Sequence, residues 1–253
     1  MKKIGLVLSG GGVRGIAHLG ILKFLEECGC VINCISGTST GAMLGAFNAF
    51  GYSAQEILTI TKNTKLFSLS DVAFSQSGIF NMKGIEESII KHIPENTFEC
   101  LRFPLHATAT NILTGEAVYF STGILSTQLM ASSCVPFIFK PIEYQGHLLV
   151  DGGIVNNCPV EPLIGKCDVL IGVHVNSMSK KTEHLHIRDI LDRSFHFALS
   201  HSVYSKVGQL DLFLEPPDMS RFSMFDMTAA DEIFSCGYDY AKTRKQEIIN
   251  TIQ

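Results

Sequence analysis

IGLVLSGGGVRG, residues 4–15, is the stretch of sequence that decides the fold. Residues 4–9 form an apolar run of strand length, and residues 10–15 supply four glycines. A segment with helical spacing follows, with apolar side chains at Ile16, Leu19 and Leu22. A buried strand, a glycine-rich turn and a helix make one βα unit. The stretch therefore predicts an α/β protein with a mostly parallel central sheet.

The same alternation of strand-like and helix-like segments continues along the chain. Further strands are predicted at residues 31–36, 105–111, 116–120, 148–150, 169–175 and 211–214. Helices are predicted at residues 16–27, 42–50, 54–63, 82–92, 123–132, 187–207 and 228–252. We expect residues 1–253 to form a single domain, because α/β domains often run to roughly 250 residues. Sites in such sheets lie at the carboxyl ends of the strands.

Composition excludes several classes of protein. Hydrophobic residues make up 46% of the 253 residues and the formal net charge is only −4, which excludes a disordered chain. A mildly acidic balance gives no electrostatic basis for binding nucleic acid. The apolar run that follows Met1, Lys2 and Lys3 is shorter than the hydrophobic core of a signal peptide. No continuous apolar stretch in the sequence is long enough to span a membrane. We therefore expect a cytoplasmic protein, with peripheral membrane association or secretion without a signal peptide as alternatives.

Eight cysteines raise the question of disulfides or metal binding. Most stand in apolar surroundings, where a free cysteine behaves as a small hydrophobic residue. The cluster Cys28, Cys30 and Cys34 lacks the C-x2-C pairs of zinc sites. We expect reduced, structural thiols and no metal.

The glycine loop at residues 10–15 fits the G-x-G-x-x-G pattern of dinucleotide-binding sites. Such a site also needs an acidic residue at the end of the second strand, and here that strand ends in Ile35, Ser36 and Gly37. Consecutive glycines before a helix let backbone N–H groups approach an anion closely. The anion can be a phosphate or an oxyanion that develops during a reaction.

A second motif, GTSTG at residues 37–41, follows the second predicted strand and precedes a helix rich in small residues. It fits the G-x-S-x-G nucleophile elbow, in which a sharp turn between strand and helix presents the serine. A helix N-terminus also favours negative charge that develops near Ser39. The alternative is that Ser39 simply caps the helix.

A serine nucleophile needs a base, and two kinds of candidate follow Ser39 in the sequence. Asp151 directly follows the predicted strand 148–150 and precedes two glycines, although an Asp-Gly pair taken alone is more typical of an ordinary turn. In the α/β-hydrolases the catalytic residues follow one another along the chain as serine, acid and histidine, so that a histidine would be required after Asp151. Five histidines follow Asp151, and none of them is predicted to stand in a loop directly after a strand. They are His174, His184, His186, His196 and His201.

Together the three motifs resemble the patatin-like phospholipase family. GGGVRG at residues 10–15 matches its glycine loop, GTSTG its serine elbow, and DGG at residues 151–153 its D-G-G/A motif. The stretch ASSCVPFIFKP at residues 131–141 is also similar to the family, as are SGIF at residues 77–80 and the tail at residues 230–238. The resemblance extends over nearly the whole chain.

The resemblance implies a three-layer α/β/α fold and a catalytic dyad of Ser39 and Asp151, with no histidine, cofactor or metal. It implies an oxyanion hole from the glycine loop, comprising Gly10, Gly11, Gly12, Val13, Arg14 and Gly15, with Arg14 bracing the loop. The implied nucleophile elbow comprises Gly37, Thr38, Thr40 and Gly41, and the turn after Asp151 comprises Gly152 and Gly153.

The implied activity is that of a phospholipase A or a lysophospholipase-like esterase. The expected partners are a phospholipid, lysophospholipid or other acyl ester, with transient contact at a membrane surface and no nucleic acid. The same dyad would also serve a thioesterase or a peptidase. Two rival classes stay open: a non-catalytic nucleotide-binding protein that uses the glycine loop, and an inactive relative that acts as a regulator.

Overall fold

A computed structural model describes residues 2–64, 82–136, 138–177, 197, 200–217, 219–224 and 226–253. Eight strands form one sheet: β1 (Ile4–Leu8), β2 (Ile32–Thr38), β3 (Leu105–Asn111), β4 (Glu116–Phe120), β5 (Ile142–Tyr144), β6 (His147–Asp151), β7 (Val169–Val173) and β8 (Leu212–Leu214). Their order is β5-β6-β3-β2-β1-β7-β8, and β4 pairs with β3. Strands β3, β2, β1, β7 and β8 run parallel, whereas β4 and β6 lie antiparallel to β3 and β5 lies antiparallel to β6.

Helices flank this sheet in a three-layer α/β/α arrangement. They are α1 (Ile16–Glu27), α2 (Thr40–Phe50), α3 (Ala54–Asn63), α4 (Lys83–His92), α5 (Leu125–Ser132), α6 (Ala230–Thr243) and α7 (Lys245–Ile252). The structure thus confirms the predicted α/β fold with its mostly parallel sheet.

The core lies between the sheet and these helices. All five residues of β1 are buried, as expected for a central strand covered on both faces. Helices α1 and α6 pack closely because each has a glycine at the crossing. A Cβ atom on Gly20 would lie 2.1 Å from the carbonyl oxygen of Phe234, and one on Gly237 would lie 2.1 Å from that of Ala17. Larger residues at either position would push the two helices apart.

Two local features differ from the sequence-based expectation. Strand β5 was not predicted, and it pairs with β6 through a two-residue turn in which Gln145 and Gly146 both have positive φ. A three-residue strand is too short for its side-chain pattern to be distinguished from a loop. The helix predicted at residues 228–252 is instead two helices that meet at Arg244, where the backbone N–H bonds to Ala241. Most of the helix predicted at residues 187–207 lies outside the described residues.

The chain places its conspicuous motifs at one edge of the sheet. Gly10 and Ser39 follow the carboxyl ends of the neighbouring parallel strands β1 and β2, and Asp151 is the last residue of β6. All eight cysteines are free. Within the described part of the chain, no helix combines the length and the apolar character that crossing a membrane requires.

Candidate active site

Ser39 occupies a strained turn between β2 and α2. Its φ of 53° and ψ of −124° lie in a region that residues with a side chain rarely adopt. Although Ser39 precedes the first residue of the helix, its side chain forms no capping hydrogen bond. The hydroxyl is therefore not used to cap the helix, and the strained backbone presents it to the cleft described below.

The turn depends on close contact between backbones. A Cβ atom on Gly41 would lie 2.5 Å from the carbonyl oxygen of Leu8 and 2.6 Å from that of Ser9. A Cβ atom on Gly37 would lie 2.6 Å from the backbone nitrogen of Ala42. These contacts explain why glycines flank the serine: a side chain at Gly41 would separate α2 from β1, and one at Gly37 would separate α2 from β2.

Hydrogen bonds fix the Ser39 backbone on the opposite side. The Ser39 N–H donates to the Ser132 hydroxyl oxygen at 2.8 Å, and that hydroxyl donates to the carbonyl of Thr108 at 2.6 Å. The Thr38 hydroxyl donates to the Asn156 carbonyl at 2.8 Å. The elbow is thus tied to helix α5, to strand β3 and to the segment that follows Asp151.

Asp151 lies beside Ser39 and is almost fully buried, with 9% of its surface exposed. Its carboxylate accepts hydrogen bonds from the Ser39 hydroxyl and, at 2.8 Å, from the Gly153 N–H. Burial raises the pKa of the Asp151 carboxyl to about 6, and the two hydrogen bonds oppose this rise. The carboxylate is therefore a stronger base than an exposed aspartate and still ionised at neutral pH.

Three of the six N–H groups at residues 10–15 of the glycine loop have hydrogen-bond partners. The Gly10 N–H donates to Asn157 Oδ1 at 2.8 Å, the Val13 N–H to the Met224 carbonyl at 2.9 Å, and the Arg14 N–H to the Gly11 carbonyl at 3.2 Å. The N–H groups of Gly11 and Gly12 donate no hydrogen bond to any described residue. These two are therefore the donors that can serve an oxyanion in the cleft.

The Arg14 side chain anchors the glycine loop to the segment at residues 219–224. This side chain is buried, and its Nε donates to the Phe222 carbonyl at 2.8 Å. Gly12 has a φ of +57°, and a Cβ atom there would lie 2.4 Å from the Met224 carbonyl oxygen. The segment at residues 219–224 thus covers the loop, and only glycine fits beneath Met224.

A cleft that opens to solvent joins these groups. Its walls are Gly10, Gly11, Gly12, Ser39, Val135, Pro136, Asp151, Gly153, Ile154, Asn157, Asn176 and Met224. Ser39, Asp151 and the glycine loop lie together in this cleft, and the side chains of Val135, Pro136, Ile154 and Met224 supply an apolar lining. Such a cleft suits a substrate with one reactive polar bond and an apolar chain.

The structure brings the residues of all three motifs together. Ser39, Asp151, Gly153 and residues 10–12 line the cleft, whereas Val13, Arg14 and Gly15 lie buried in the short helical turn behind it. Gly37 and Thr38 end β2, Thr40 and Gly41 begin α2, and Gly152 begins the turn after β6. The Thr40 hydroxyl also donates to the Gly12 carbonyl at 2.9 Å, which links the elbow to the loop.

Four residues that build the site were not predicted from the sequence: Ser132, Asn157, Asn176 and Met224. Asn157 and Asn176 are 1% and 3% exposed, and both bond to Gly10. Buried asparagine amides require hydrogen-bond partners, but which partners they find depends on the fold. Ser132 falls in the stretch at residues 131–141 that resembles the family, but no sequence pattern indicated a role in the site for it or for the other three residues.

None of the described histidines lines the cleft with Ser39. His174 lies after β7, with Nε2 3.9 Å from the Glu215 carboxylate. His201 is exposed, and His184, His186 and His196 lie outside the described residues. Across the described segments, no group of three or more His, Cys, Asp or Glu side chains could hold a metal ion.

Comparison with known proteins gives a consistent result. A family model described as patatin-like phospholipase matches residues 6–164. The chain is 34% identical over 178 residues to an uncharacterized NTE family protein of Mycobacterium tuberculosis, which covers 69% of this chain and 49% of that protein. It is 31% identical over 191 residues to the lysophospholipase NTE1 of Kluyveromyces lactis, which covers 72% of this chain and 13% of that protein.

A solved structure with a similar fold is that of VipD from Legionella pneumophila. The TM-score is 0.57 at 14% sequence identity, and the match covers 99% of this chain and 67% of VipD. This similarity concerns the fold alone. The chain spans about half the length of the mycobacterial relative and about an eighth of the yeast one.

Proposed function

The chain belongs to the patatin-like phospholipase family, and from this premise we propose that it is a serine hydrolase of lipid acyl esters. Ser39 is the nucleophile, Asp151 is the base, and the N–H groups of Gly11 and Gly12 form the oxyanion hole. The observation that carries this proposal is the hydrogen bond between a strained Ser39 and a buried Asp151, in a cleft that Gly11 and Gly12 also line.

In the first half of the reaction, Ser39 Oγ attacks the ester carbonyl carbon while its proton passes to the Asp151 carboxylate. The carbonyl oxygen becomes an oxyanion, which the N–H groups of Gly11 and Gly12 stabilise. Collapse of the tetrahedral intermediate breaks the bond to the alcohol oxygen, and Asp151 returns the proton to that leaving group. The product is an acyl ester on Ser39.

In the second half, water takes the place of the alcohol. Asp151 accepts a proton from the water, which attacks the acyl carbonyl carbon, and the oxyanion forms again at the same N–H groups. Collapse releases the fatty acid and restores the Ser39 hydroxyl with the proton held by Asp151. Both halves use the same donors and the same base, so one geometry serves each step.

The apolar lining of the cleft favours a lipid substrate. Val135, Pro136, Ile154 and Met224 provide contacts for an acyl chain next to Ser39. The lysophospholipase name of one relative supports phospholipids or lysophospholipids as the substrate class. A nucleotide is disfavoured because Asp151 would place a carboxylate against its phosphates.

The proposal is tested by labelling the intact protein with a fluorophosphonate probe and mapping the modified residue by mass spectrometry. We expect a single adduct on Ser39, together with hydrolysis of lysophosphatidylcholine and p-nitrophenyl acyl esters. Folded protein with an unlabelled Ser39 would contradict the enzyme proposal. Cleavage of acyl thioesters or peptides without ester turnover would favour the alternative substrates, and tight dinucleotide binding without labelling would favour the nucleotide-binding protein.

Ester hydrolysis should depend on pH through Asp151. Only the carboxylate form accepts the Ser39 proton, and burial raises the pKa of this carboxyl to about 6. We therefore expect kcat/KM for a non-ionising ester to be constant above about pH 7 and to fall about tenfold per pH unit below pH 6. A profile of kcat/KM from pH 4.5 to 8.5 measures this. A rate that stayed constant down to pH 5 would show that Asp151 is not the base.

A further inference from the structure

Two successive peptide groups at the start of the glycine loop are held in different ways. The Ser9–Gly10 peptide is bonded at both ends, because Ser9 O accepts from His18 Nε2 at 2.8 Å and Gly10 N–H donates to Asn157 Oδ1 at 2.8 Å. The next peptide is bonded at its carbonyl, since Asn176 Nδ2 donates to Gly10 O at 2.7 Å. Its N–H, on Gly11, has no partner among the described residues.

The geometry of the peptide bond links these two facts. In a trans peptide the carbonyl and the N–H of the next residue lie in one plane and point in opposite directions. A hydrogen bond that holds the Gly10 carbonyl therefore also fixes the direction of the Gly11 N–H. Gly11 lines the cleft, so the group left free by this bond is one that can meet an oxyanion.

Consecutive glycines make such a restraint necessary. The peptide between Gly10 and Gly11 has no Cβ atom on either side, so steric repulsion does little to prevent it from rotating. Rotation would turn the carbonyl, instead of the N–H, towards a developing negative charge. Gly10, Gly11 and Gly12 let the backbone approach the substrate closely. Because they have no side chains, the orientation of their peptide groups must be fixed by side chains outside the loop.

We propose that Asn176, with Asn157 on the preceding peptide, is a positioning residue of the oxyanion hole that keeps the Gly11 N–H directed into the cleft. The inference rests on the proposed hydrolase function. The two asparagines come from different elements, one from the segment after β6 and the other from the segment after β7. Both are buried beside the cleft, so their amides are held in place by packing.

The chemistry of the contact is directional. A backbone carbonyl can only accept a hydrogen bond, so position 176 must present a donor. Asn176→Asp keeps the size of the side chain but places a carboxylate against the Gly10 carbonyl. Asn176→Ala removes the donor without adding charge. We expect both variants to lower kcat at least tenfold, and towards the roughly 10²–10³-fold loss typical of a missing oxyanion donor.

The experiment compares these variants with the same substitutions at Asn111, a buried asparagine at the carboxyl end of β3 whose side chain bonds to His147 and Leu113. Rates are expressed per active site, titrated with the fluorophosphonate probe. The second readout is the affinity for an acyl trifluoromethyl ketone, whose adduct with Ser39 carries an oxyanion. For the Asn176 variants, affinity and kcat should fall in parallel while KM changes less than about threefold. The Asn111 variants should retain kcat within about twofold.

A purely structural role for Asn176 would reduce the number of titratable sites but leave their kcat and ketone affinity unchanged, and that result overturns the inference. Asn157→Ala applies the same test to the other peptide and covers the case in which Asn176 variants do not fold. If it too leaves kcat and ketone affinity per site unchanged, the inference fails. A wild-type protein without esterase activity or labelling would instead refute the proposed function.

Discussion

Replacing Ser39 by alanine should lower kcat for acyl ester hydrolysis by a factor of about 10⁴ or more. Removal of a serine nucleophile leaves only what binding and the oxyanion hole contribute, and in a serine protease it costs about 10⁶ in kcat. The substitution removes one hydroxyl, and the N–H of residue 39 can still bond to Ser132. The fold should therefore persist, as judged by circular dichroism and thermal unfolding. The measurement is single-turnover hydrolysis of a p-nitrophenyl acyl ester.

Ser235→Ala is the matched control, because Ser235 is an exposed serine on α6 whose hydroxyl bonds to the Asp231 carbonyl of its own helix. This control should keep wild-type kcat and a full fluorophosphonate adduct, whereas Ser39→Ala should carry no adduct. If Ser39→Ala retained more than about one hundredth of wild-type kcat, another residue would have to be the nucleophile.

Asp151→Asn should nearly abolish ester hydrolysis while stabilising the protein at neutral pH. The amide retains an oxygen to accept from the Gly153 N–H but cannot take the Ser39 proton. We expect a loss of about 10³–10⁴ in kcat, similar to that seen when the acid of a catalytic triad becomes an amide. Activity above about a tenth of wild type would remove Asp151 from the mechanism and return attention to the histidines.

The expected gain in stability follows from the buried charge. The folded-state pKa of about 6 lies above the ordinary aspartate value of 3.8, so the folded protein binds the Asp151 proton more tightly than the unfolded chain does. Wild-type stability therefore falls as pH rises from about 4 to about 6 and keeps the lower value above that. At about 1.4 kcal/mol per pKa unit, ionising Asp151 costs on the order of 3 kcal/mol.

Denaturant unfolding of both proteins measures this effect. The free energy of unfolding of Asp151→Asn minus that of wild type should be smallest near pH 4 and reach its maximum above about pH 6. Asp168→Asn is the control, since Asp168 accepts from the Lys3 N–H at the opposite edge of the sheet. The free energy of unfolding of Asp168→Asn minus that of wild type should show no such rise with pH. A wild-type protein more stable than Asp151→Asn at pH 8 would show that burial of this carboxylate is not the dominant cost.

Much of the fold could be predicted because its signals are local. Helix α1 begins at Ile16 and ends at Glu27, as its apolar spacing predicts, and α3 begins after a Ser53–Glu56 capping box. The elements that escaped prediction depend on partners far away in the chain. β5 is a strand only because β6 pairs with it, and Arg244 interrupts the last helical segment within a pattern that continues on both sides.

The sequence by itself determined the candidate reactive groups of this protein: a serine between glycines after a strand, an aspartate before two glycines, and a run of glycines before a helix. These follow from steric rules that act over a few residues. Only the tertiary structure decided that Asp151 bonds to Ser39, that burial raises the pKa of its carboxyl, and that Asn157 and Asn176 hold Gly10. Solvent exclusion and hydrogen-bond partnership are set by segments distant in sequence, so no local pattern encodes them.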